Sequence, residues 1–296
     1  MNKYFLAFFI KTTLMFNYAH CKTDIVLFSY DRPLQIYATL ESIQKYANGL
    51  DAIHIIYRTS STQYKQSYSE AFNDFPNLNL HLYWQDLNPQ KDFKLYTLDI
   101  LNQMTQKGNI FVIFSTDDAI LTDYINIEEM EYYMEKTSAF SFLIRLGKNI
   151  TYSYMQNIQL TVPNLIHEGN DVYSWIFKNN KSYWEYPASL DMGMFWIDNC
   201  LQQFQIFSFN NPNQLEGTWA SKEDRNCIGL CYKKSKMFTL PLNIVSENGG
   251  KNMNLHSKEQ LLEFFQNNLK IDISIFHAII NKSAHEQYKP KFIKRK

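Results

Sequence analysis

The stretch Phe111-Val-Ile-Phe-Ser-Thr-Asp-Asp-Ala-Ile-Leu121 joins an apolar run directly to two adjacent carboxylates, Asp117 and Asp118. Its aromatic and β-branched residues are typical of a strand that is buried on both faces of a parallel sheet. Two neighbouring like charges are costly to bury, so such a pair usually lies where a cation compensates it. Open α/β sheets bind ligands at the carboxyl ends of their strands. The stretch therefore predicts a metal-assisted site for a phosphate-bearing substrate.

The sequence before this stretch alternates apolar strands with amphipathic helices. Apolar residues recur at helical spacing after Pro33, and Asn48-Gly49 ends that helix. The pattern predicts strands at 25–28, 52–57, 78–84 and from 109, and helices at 33–47, 62–72 and 93–104. Short connections between them imply a parallel sheet wound by right-handed crossovers. Asp117 and Asp118 then lie at the end of the fourth strand, and a further strand is predicted at 139–144.

Composition limits the class of protein. The chain has 296 residues, 45% of them apolar, which is enough for one large α/β domain or two small ones. The 29 Lys and Arg residues balance the 29 Asp and Glu residues, so the formal net charge is zero. Without a net positive charge to attract it, nucleic acid is not expected as a partner. One basic cluster follows Lys289; we interpret it as a solvated tail or as a contact with a membrane surface or lipid diphosphate.

The first 22 residues form a separate segment in this interpretation. An apolar run of seven residues from Tyr4 to Ile10 has the minimum length for a signal peptide, and Lys11 interrupts it. The run is too short to span a bilayer. Residues 1–22 are either a targeting or membrane-associating segment or a dispensable extension, followed by one domain at 23–290 and a basic tail at 291–296. We expect a cytoplasmic protein, with membrane association or export left open.

The four cysteines contain no CxxC pair. Buried free thiols in a reducing compartment are the favoured interpretation. Cys227 and Cys231, four residues apart, leave open a shared helix face that binds metal or forms a strained disulfide.

Two common nucleotide-binding motifs are absent. No GxGxxG follows the first strand, and the chain contains no GxxxxGK[ST]. Dinucleotide binders and P-loop enzymes are therefore poor matches. The loop at 29–33 also lacks the glycine-rich, basic character of sugar-nucleotide uridylyltransferases, which remain an alternative.

Several blocks of the sequence resemble GT-A-fold glycosyltransferases, in particular a poorly characterised bacterial group of them. The blocks occur in the expected order and cover nearly everything from residue 24 to 290. They are Ile25-Val-Leu-Phe-Ser-Tyr-Asp-Arg-Pro33, Tyr57-Arg-Thr-Ser60, Thr116-Asp-Asp118, Phe142-Leu-Ile-Arg-Leu-Gly-Lys-Asn149, Tyr186-Pro-Ala-Ser-Leu-Asp191, Asn211-Pro-Asn-Gln-Leu-Glu216, Pro241-Leu-Asn-Ile-Val245 and Asn281-Lys-Ser-Ala-His-Glu286. The resemblance implies a Rossmann-like, mostly parallel sheet flanked by helices, in a single domain with a nucleotide-binding half and an acceptor-binding half.

The same resemblance implies which residues hold a nucleotide-sugar donor. Ser29, Tyr30 and Arg32 match the first loop, which packs on the base in GT-A enzymes. Arg58 follows the second strand, where such enzymes contact the nucleoside, and Lys94 occupies the place of a basic residue that reads the base or phosphate. Tyr30 as a packing aromatic and Arg32 as a surface ion-pair partner are the competing interpretations.

The resemblance also implies a divalent metal. Mg²⁺ or Mn²⁺ held by carboxylates neutralises the diphosphate that leaves when a sugar is transferred. Asp118 matches the metal-binding end of the family's DxD triplet, Asp117 the position that touches ribose or sugar, and Thr116 replaces the first acid. His285 matches a C-terminal histidine that supplies a further metal or phosphate ligand. An N-cap with a flanking acid is the alternative for the carboxylate pair.

Two carboxylates are candidates for the general base. In an inverting transfer, one Asp or Glu deprotonates the acceptor hydroxyl. Asp191 and Glu216 both stand in recognisable blocks of the second half. The family pattern reads Asp-Gly-His near the first of them, whereas this chain has Asp191-Met192-Gly193. Glu216 also fits an ordinary first-turn acid that complements a helix dipole.

The remaining candidates lie in the second half of the chain. Arg145 and Asn149 flank a glycine in a loop suited to phosphate or sugar hydroxyls and are predicted to bind the donor, with an internal salt bridge as the alternative. Aromatic residues at 173–175 and 183–186 are predicted either to stack on an acceptor sugar or to pack in the core or a lid.

Together these features predict a metal-dependent glycosyltransferase of the hexosyltransferase type. The expected donor is a UDP- or GDP-linked sugar, and the expected acceptor is a glycan or a lipid-linked intermediate. A catalytically degenerate protein that only binds sugar nucleotide or glycan is the main alternative, because Thr116 and the altered Asp191 block depart from the family pattern.

Overall fold

A nine-stranded sheet forms the centre of the computed structural model, which describes residues 23–85, 88–243 and 255–295. The strands are β1 (Asp24–Tyr30), β2 (Ile53–Arg58), β3 (Leu80–Gln85), β4 (Phe111–Thr116), β5 (Ser141–Leu143), β6 (Ile166–Gly169), β7 (Val172–Ile176), β8 (Gly193–Trp196) and β9 (Ile228–Tyr232). They are ordered β6-β7-β9-β5-β8-β4-β1-β2-β3. Because only β7 and β8 run against the others, the predicted α/β class with a mostly parallel sheet is confirmed.

Seven α-helices accompany the sheet in the described residues. They are α1 (Pro33–Tyr46), α2 (Thr62–Asn73), α3 (Pro89–Gln106), α4 (Ile127–Thr137), α5 (Ile197–Ile206), α6 (Pro212–Lys222) and α7 (Lys258–Gln266). Two 3₁₀ turns lie at Ser182–Glu185 and Ile273–Phe276. Short strand pairs join 47–48 to 125–126, 119–121 to 237–239, 152–153 to 158–159 and 269–271 to 292–294.

The first half follows the predicted order of strands and helices closely. Strands β1 to β4 and helices α1 to α3 occur where the apolar pattern placed them, with shifted ends. The largest shift is in α3, which begins four residues before the predicted Phe93. The Asn88 side chain accepts the Lys91 N–H there, and such a cap starts a helix ahead of its first apolar residue.

Helices cover both faces of the sheet and create two cores. In β1, Ile25 and Leu27 point to a core shared with α1, α2, α4 and α7. Val26 and Phe28 point to the opposite core, shared with α3, α5 and α6. Successive side chains of a strand alternate between faces, so a strand buried on both sides reads as a continuous apolar run.

The described cysteines, Cys200, Cys227 and Cys231, are free thiols; Cys200 and Cys231 are buried as predicted, whereas Cys227 is half-buried. Cys231 lies within β9 and Cys227 just before it, so a shared helix face for this pair is wrong. Cys21 and the rest of the segment 1–22 fall outside the described residues, as does Lys296 of the basic tail. Among the helices described, none is both long and apolar enough to cross a membrane.

Candidate functional site

Asp117 lies at the carboxyl end of β4 and is held by the turn between β1 and α1. The Ser29 hydroxyl donates to Asp117 Oδ2 at 2.7 Å, and the Tyr30 backbone N–H approaches the same oxygen at 3.4 Å. The Thr39 hydroxyl donates to the Asp117 carbonyl at 2.7 Å. β1 and β4 are neighbours and run parallel, so their carboxyl ends reach the same edge of the sheet. The first loop and the carboxylate pair therefore meet at this edge.

Arg32 forms ion pairs with both carboxylates. Its Nη1 lies 2.9 Å from Asp117 Oδ1 and 3.0 Å from Asp118 Oδ2, while Nη2 donates to the Asn243 carbonyl at 2.6 Å. Burial raises the pKa of Asp118 to about 6; Arg32 opposes this rise, and the charges of Asp117 and Asp191 add to it. Arg32 is thus a buried ion-pair partner, and three carboxylates compete for positive charge at this edge.

Tyr68 belongs to the same site and was not anticipated from the sequence. Its hydroxyl contacts the Ser29 hydroxyl and accepts the Arg32 backbone N–H at 3.0 Å. Burial raises the pKa of this phenol well above its usual value, so it stays neutral. The only sequence signal is its helical spacing from Tyr64 and Phe72, which is typical of a core-facing position.

The strand register places Asp191 beside Thr116. β8 pairs antiparallel with β4, with Gly193 opposite Phe114. Extending this register by two residues sets Asp191 opposite Thr116, and the Thr116 hydroxyl donates to Asp191 Oδ1 at 3.1 Å. Thr116, which stands where the family has an acid, therefore links the β4 site to the second half of the chain.

On its other side, Asp191 faces Arg145. β8 also pairs with β5, with Gly193 opposite Leu143, and the same extension sets Asp191 opposite Arg145. Arg145 Nη1 and His285 Nε2 lie 3.5 Å and 3.3 Å from Asp191 Oδ2. Burial opposes ionisation, but the hydrogen bond and charge of His285, then the charge of Arg145, hold the pKa of Asp191 well below its usual range.

Glu216 completes the cluster from α6. The Asn211 side chain caps this helix by accepting the Gln214 N–H, and Glu216 reaches back so that Oε1 accepts the Leu190 N–H at 2.9 Å. Burial, followed by the charge of Asp191, raises the pKa of Glu216. The environment therefore drives the pKa values of Asp191 and Glu216 apart, a pattern that assigns different acid–base roles to two carboxylates.

Two tyrosines enclose Arg145. Its guanidinium carbon lies 5.4 Å from the ring centre of Tyr183 and 5.8 Å from that of Tyr186. The His285 ring stacks on Tyr183, with ring centres 5.6 Å apart, and its Nδ1 lies 3.3 Å from the Tyr183 hydroxyl. Of the predicted aromatic platform, these two tyrosines line the site. Trp175, which is only 2% exposed, packs in the core instead.

The departure at Met192 and Gly193 has a local structural basis. Met192 has a φ of +51°, in the left-handed region that glycine adopts readily, and the family pattern has glycine at this position. A Cβ built on Gly193 would lie 2.7 Å from the Phe195 ring and from the Ser189 carbonyl. A histidine at 193 would therefore not fit this packing without a shift of its neighbours.

Three predicted donor residues have other partners. The Lys94 ammonium donates to the carbonyls of Gln205 and Phe207 at the end of α5. Asn149 donates to the Asn281 carbonyl and accepts the Ser235 N–H, so it ties loops together. Arg58, the last residue of β2, has its guanidinium carbon 4.9 Å from the centre of the Tyr30 ring. Nucleotide contacts of these three residues stay predictions.

The proposed metal ligands are partly engaged by protein groups. Asp118 is paired with Arg32, and His285 with Asp191. Among the residues described, no three His, Cys, Asp or Glu side chains are grouped so that they could hold a metal by themselves. Carboxylate oxygens suit Mg²⁺ and Mn²⁺, and a cation would relieve the repulsion between Asp118 and Asp191. Asp118 therefore fits a metal whose remaining ligands are substrate phosphate oxygens.

No family model matches the chain. A curated relative, the bifunctional glycosyltransferase pgtA of Dictyostelium discoideum, is 30% identical over 221 residues, which are 65% of this chain. The chain spans only 27% of the length of that relative.

Solved structures similar to the chain include residues 1–349 of S. aureus TarS in complex with UDP. That structure is 15% identical with a TM-score of 0.44, over 83% of this chain and 71% of the other. The mannosyltransferase PcManGT from Pyrobaculum calidifontis, in complex with GDP-Man and Mn²⁺, is 10% identical with a TM-score of 0.31, over 43% and 36%. Because the curated relative is a glycosyltransferase, the resemblance to glycosyltransferases that the sequence blocks predicted is confirmed.

Proposed function

We propose that the chain is a glycosyltransferase of the hexosyltransferase type, with a nucleotide-diphosphate sugar as donor and a glycan or lipid-linked acceptor. The observation that carries this proposal is the convergence of Asp118, Asp191 and Glu216 at the edge where β1 and β4 end. Ligands bind at this edge in open α/β sheets. The relative named as a bifunctional glycosyltransferase supports the same reaction class.

In this proposal the donor lies over the carboxyl ends of β1, β2 and β4. Ser29 and Arg32 fix the Asp117–Asp118 pair, and Tyr30 with Arg58 offers a surface for the base of a UDP- or GDP-sugar. Mn²⁺ or Mg²⁺, held by Asp118 and His285 and by diphosphate oxygens, would neutralise the charge that develops on the leaving group.

In this proposal Glu216, not Asp191, serves as the general base. In an inverting transfer, the bond from the anomeric carbon to the acceptor oxygen forms as the bond to the diphosphate breaks, and a base removes the acceptor proton. A base works best when its pKa lies near the working pH. The pKa of Glu216 is raised, whereas Asp191 is held ionised by His285 and Arg145. Asp191 then serves to position these two residues.

The test is donor consumption together with donor binding. Purified protein is screened against UDP- and GDP-sugars with and without Mn²⁺, since a donor that binds only the folded state raises the melting temperature. Asp118→Asn is expected to lower consumption of the donor at least about 100-fold and to abolish the Mn²⁺-dependent shift. Asp198→Asn, on the exposed face of α5, is the matched control. If no sugar nucleotide shifts the melting temperature or is consumed, the proposal fails.

A second candidate function is binding of a sugar nucleotide without turnover. The observation in its favour is that Arg32 already forms ion pairs with both Asp117 and Asp118, while Thr116 bonds to Asp191 and supplies no carboxylate. A donor that binds equally well with and without divalent cation, and is never consumed by any acceptor, would establish this candidate.

The organisation of the chain is part of the proposal. We propose that residues 23–290 act as one domain, with the donor over β1 to β4 and the acceptor over β5 and β8. A cytoplasmic location, where sugar nucleotides are made, follows from the donor. Peripheral membrane contact through the basic tail would suit a lipid-linked acceptor.

A further inference from the structure

One edge of the Arg145 guanidinium lacks a hydrogen-bond partner. The residue is 3% exposed, and its Nη1 faces Asp191. Nε and Nη2 make no hydrogen bond with any described residue. These two nitrogens lie on the same edge of the planar guanidinium and present two parallel N–H donors. Such a fork matches the paired oxygens of a carboxylate or a phosphate.

The surroundings hold this fork in place. Tyr183 and Tyr186 enclose the guanidinium, and Arg145 lies on the residue pair that extends β5. A buried charged donor without a partner costs free energy, so the interior would not retain it without compensation. Of the two rings, Tyr186 is the half-buried one and Tyr183 is buried, so an anion would reach the fork past Tyr186.

The position of Arg145 assigns the fork to the acceptor. Arg145 lies two strand positions from Thr116, with Asp191 between them. Opposed residues of antiparallel strands have Cα atoms about 5 Å apart, so the Cα atom of Arg145 lies about 10 Å from that of Thr116. In the proposed function the diphosphate lies beside Asp118, on the β4 side of Asp191. Arg145 lies on the β5 side, and we therefore assign its free edge to the acceptor.

We propose that Arg145 binds an acidic group of the acceptor, a phosphate or a sugar carboxylate, through its Nε and Nη2 edge. This inference rests on the proposed function and names the class of acceptor. The nearby carboxylate Asp191 does not occupy this edge, because it faces Arg145 Nη1 and is also paired with His285 and Thr116.

Calorimetry on the full chain tests the proposal without any turnover. The ligands are inorganic phosphate, glucose 6-phosphate and glucuronate, with neutral glucose as reference, each titrated in the presence of UDP or GDP and Mn²⁺. The acidic sugars are expected to bind more tightly than glucose. Arg145→Gln and Arg145→Lys are each expected to weaken them roughly 30-fold or more, because lysine keeps the charge and loses the fork. Arg225→Gln, an exposed arginine paired with Glu185, is the control.

The calorimetric results identify the acidic group or overturn the proposal. Preference for glucose 6-phosphate or for glucuronate identifies the acid as phosphate or carboxylate. Equal binding of glucose and the acidic sugars by the unaltered protein overturns the proposal, whether or not the variants fold. Loss of UDP or GDP binding in the Arg145 variants, with acidic sugars unaffected, would assign the fork to the donor and also overturn it. Absence of glycosyl transfer would count only against the proposed function.

Discussion

At the scale of single residues, Arg32 governs the charge balance of the donor edge. Arg32→Gln is expected to lower the free energy of unfolding by about 3–5 kcal/mol, because it leaves the buried Asp117 and the largely buried Asp118 without their cation. Mn²⁺ is expected to raise the melting temperature of this variant more than that of the unaltered protein, since the ion would replace the lost charge. Chemical denaturation and thermal shift measure the two effects.

Arg225→Gln supplies the comparison for this measurement, since its partner Glu185 is solvent-accessible and such pairs contribute about 0–1 kcal/mol. Equal Mn²⁺ shifts in the Arg32 variant and the unaltered protein would show that Arg32 and the metal do not compete for the same carboxylates.

His81 is a titrating residue near the amino end of β3, at the end of the sheet opposite to Arg32. His54 bonds to Asp24 at 3.1 Å and to the Tyr83 hydroxyl at 3.2 Å, and His81 stacks on it with ring centres 4.8 Å apart. Burial, then the neighbouring His54 and Lys107, lowers the pKa of His81. The unfolded chain therefore binds more protons below pH about 6.5, the ordinary histidine pKa.

Stability is accordingly expected to be complete above pH 6.5 and to decline as the pH falls through the lowered pKa of His81. The free energy of unfolding in urea, measured from pH 8 to pH 5, shows this decline. His81→Phe keeps the stacked ring without a titrating group and should flatten the profile. An unchanged slope in that variant would assign the pH dependence to other groups.

At the scale of elements, the start of α6 controls the position of Glu216. Asn211→Ala removes the side chain that accepts the Gln214 N–H and is expected to lower the free energy of unfolding by about 1 kcal/mol. Asn213→Ala, two residues further on an exposed position, should change it by less than about 0.5 kcal/mol. Equal losses of stability in the two variants, measured by urea denaturation, would contradict a capping role for Asn211.

The first-half elements were predictable because local patterns determine them. Continuous apolar runs marked β1, β2 and β4, and helical spacing marked α1, so the edge that holds Asp117 followed from topology. The partners at that edge did not follow. The Arg32 ion pairs depend on how α1 turns back onto β4, and the Tyr68 contact depends on α2 packing against β1, which no local pattern encodes.

The second half was less predictable, because its site depends on a strand that enters between two others. The carboxylates Asp191 and Glu216 were identified from sequence blocks. Their different environments arise from the antiparallel insertion of β8 and the approach of α6. Other tertiary contacts give Lys94 and Asn149 partners that their positions in the sequence did not suggest: the carbonyls of Phe207 and Asn281.

At the scale of the whole molecule, stability depends on aromatic packing on the face opposite α1. Trp219 is fully buried and lies 4.5 Å from Phe195 and 4.8 Å from Phe204, ring centre to ring centre. Trp219→Ala is expected to lower the free energy of unfolding by about 3–5 kcal/mol, through lost burial and the cavity left behind. Tyr132→Ala, 58% exposed on α4, is the control, and comparable losses in denaturant would contradict the packing argument.

The row formed by Thr116, Asp191 and Arg145 has a consequence for how related chains diverge. The chain leaves the row after Arg145 and returns at Asp191, having built β6 and β7 in between. Because side chains alternate along a strand, a return shifted by one residue would turn Asp191 to the other face. The length and composition of β6 and β7 can nevertheless change while the return register and the two tyrosines at Arg145 are kept. In the proposed function, substrate range and chemistry would then be separable traits.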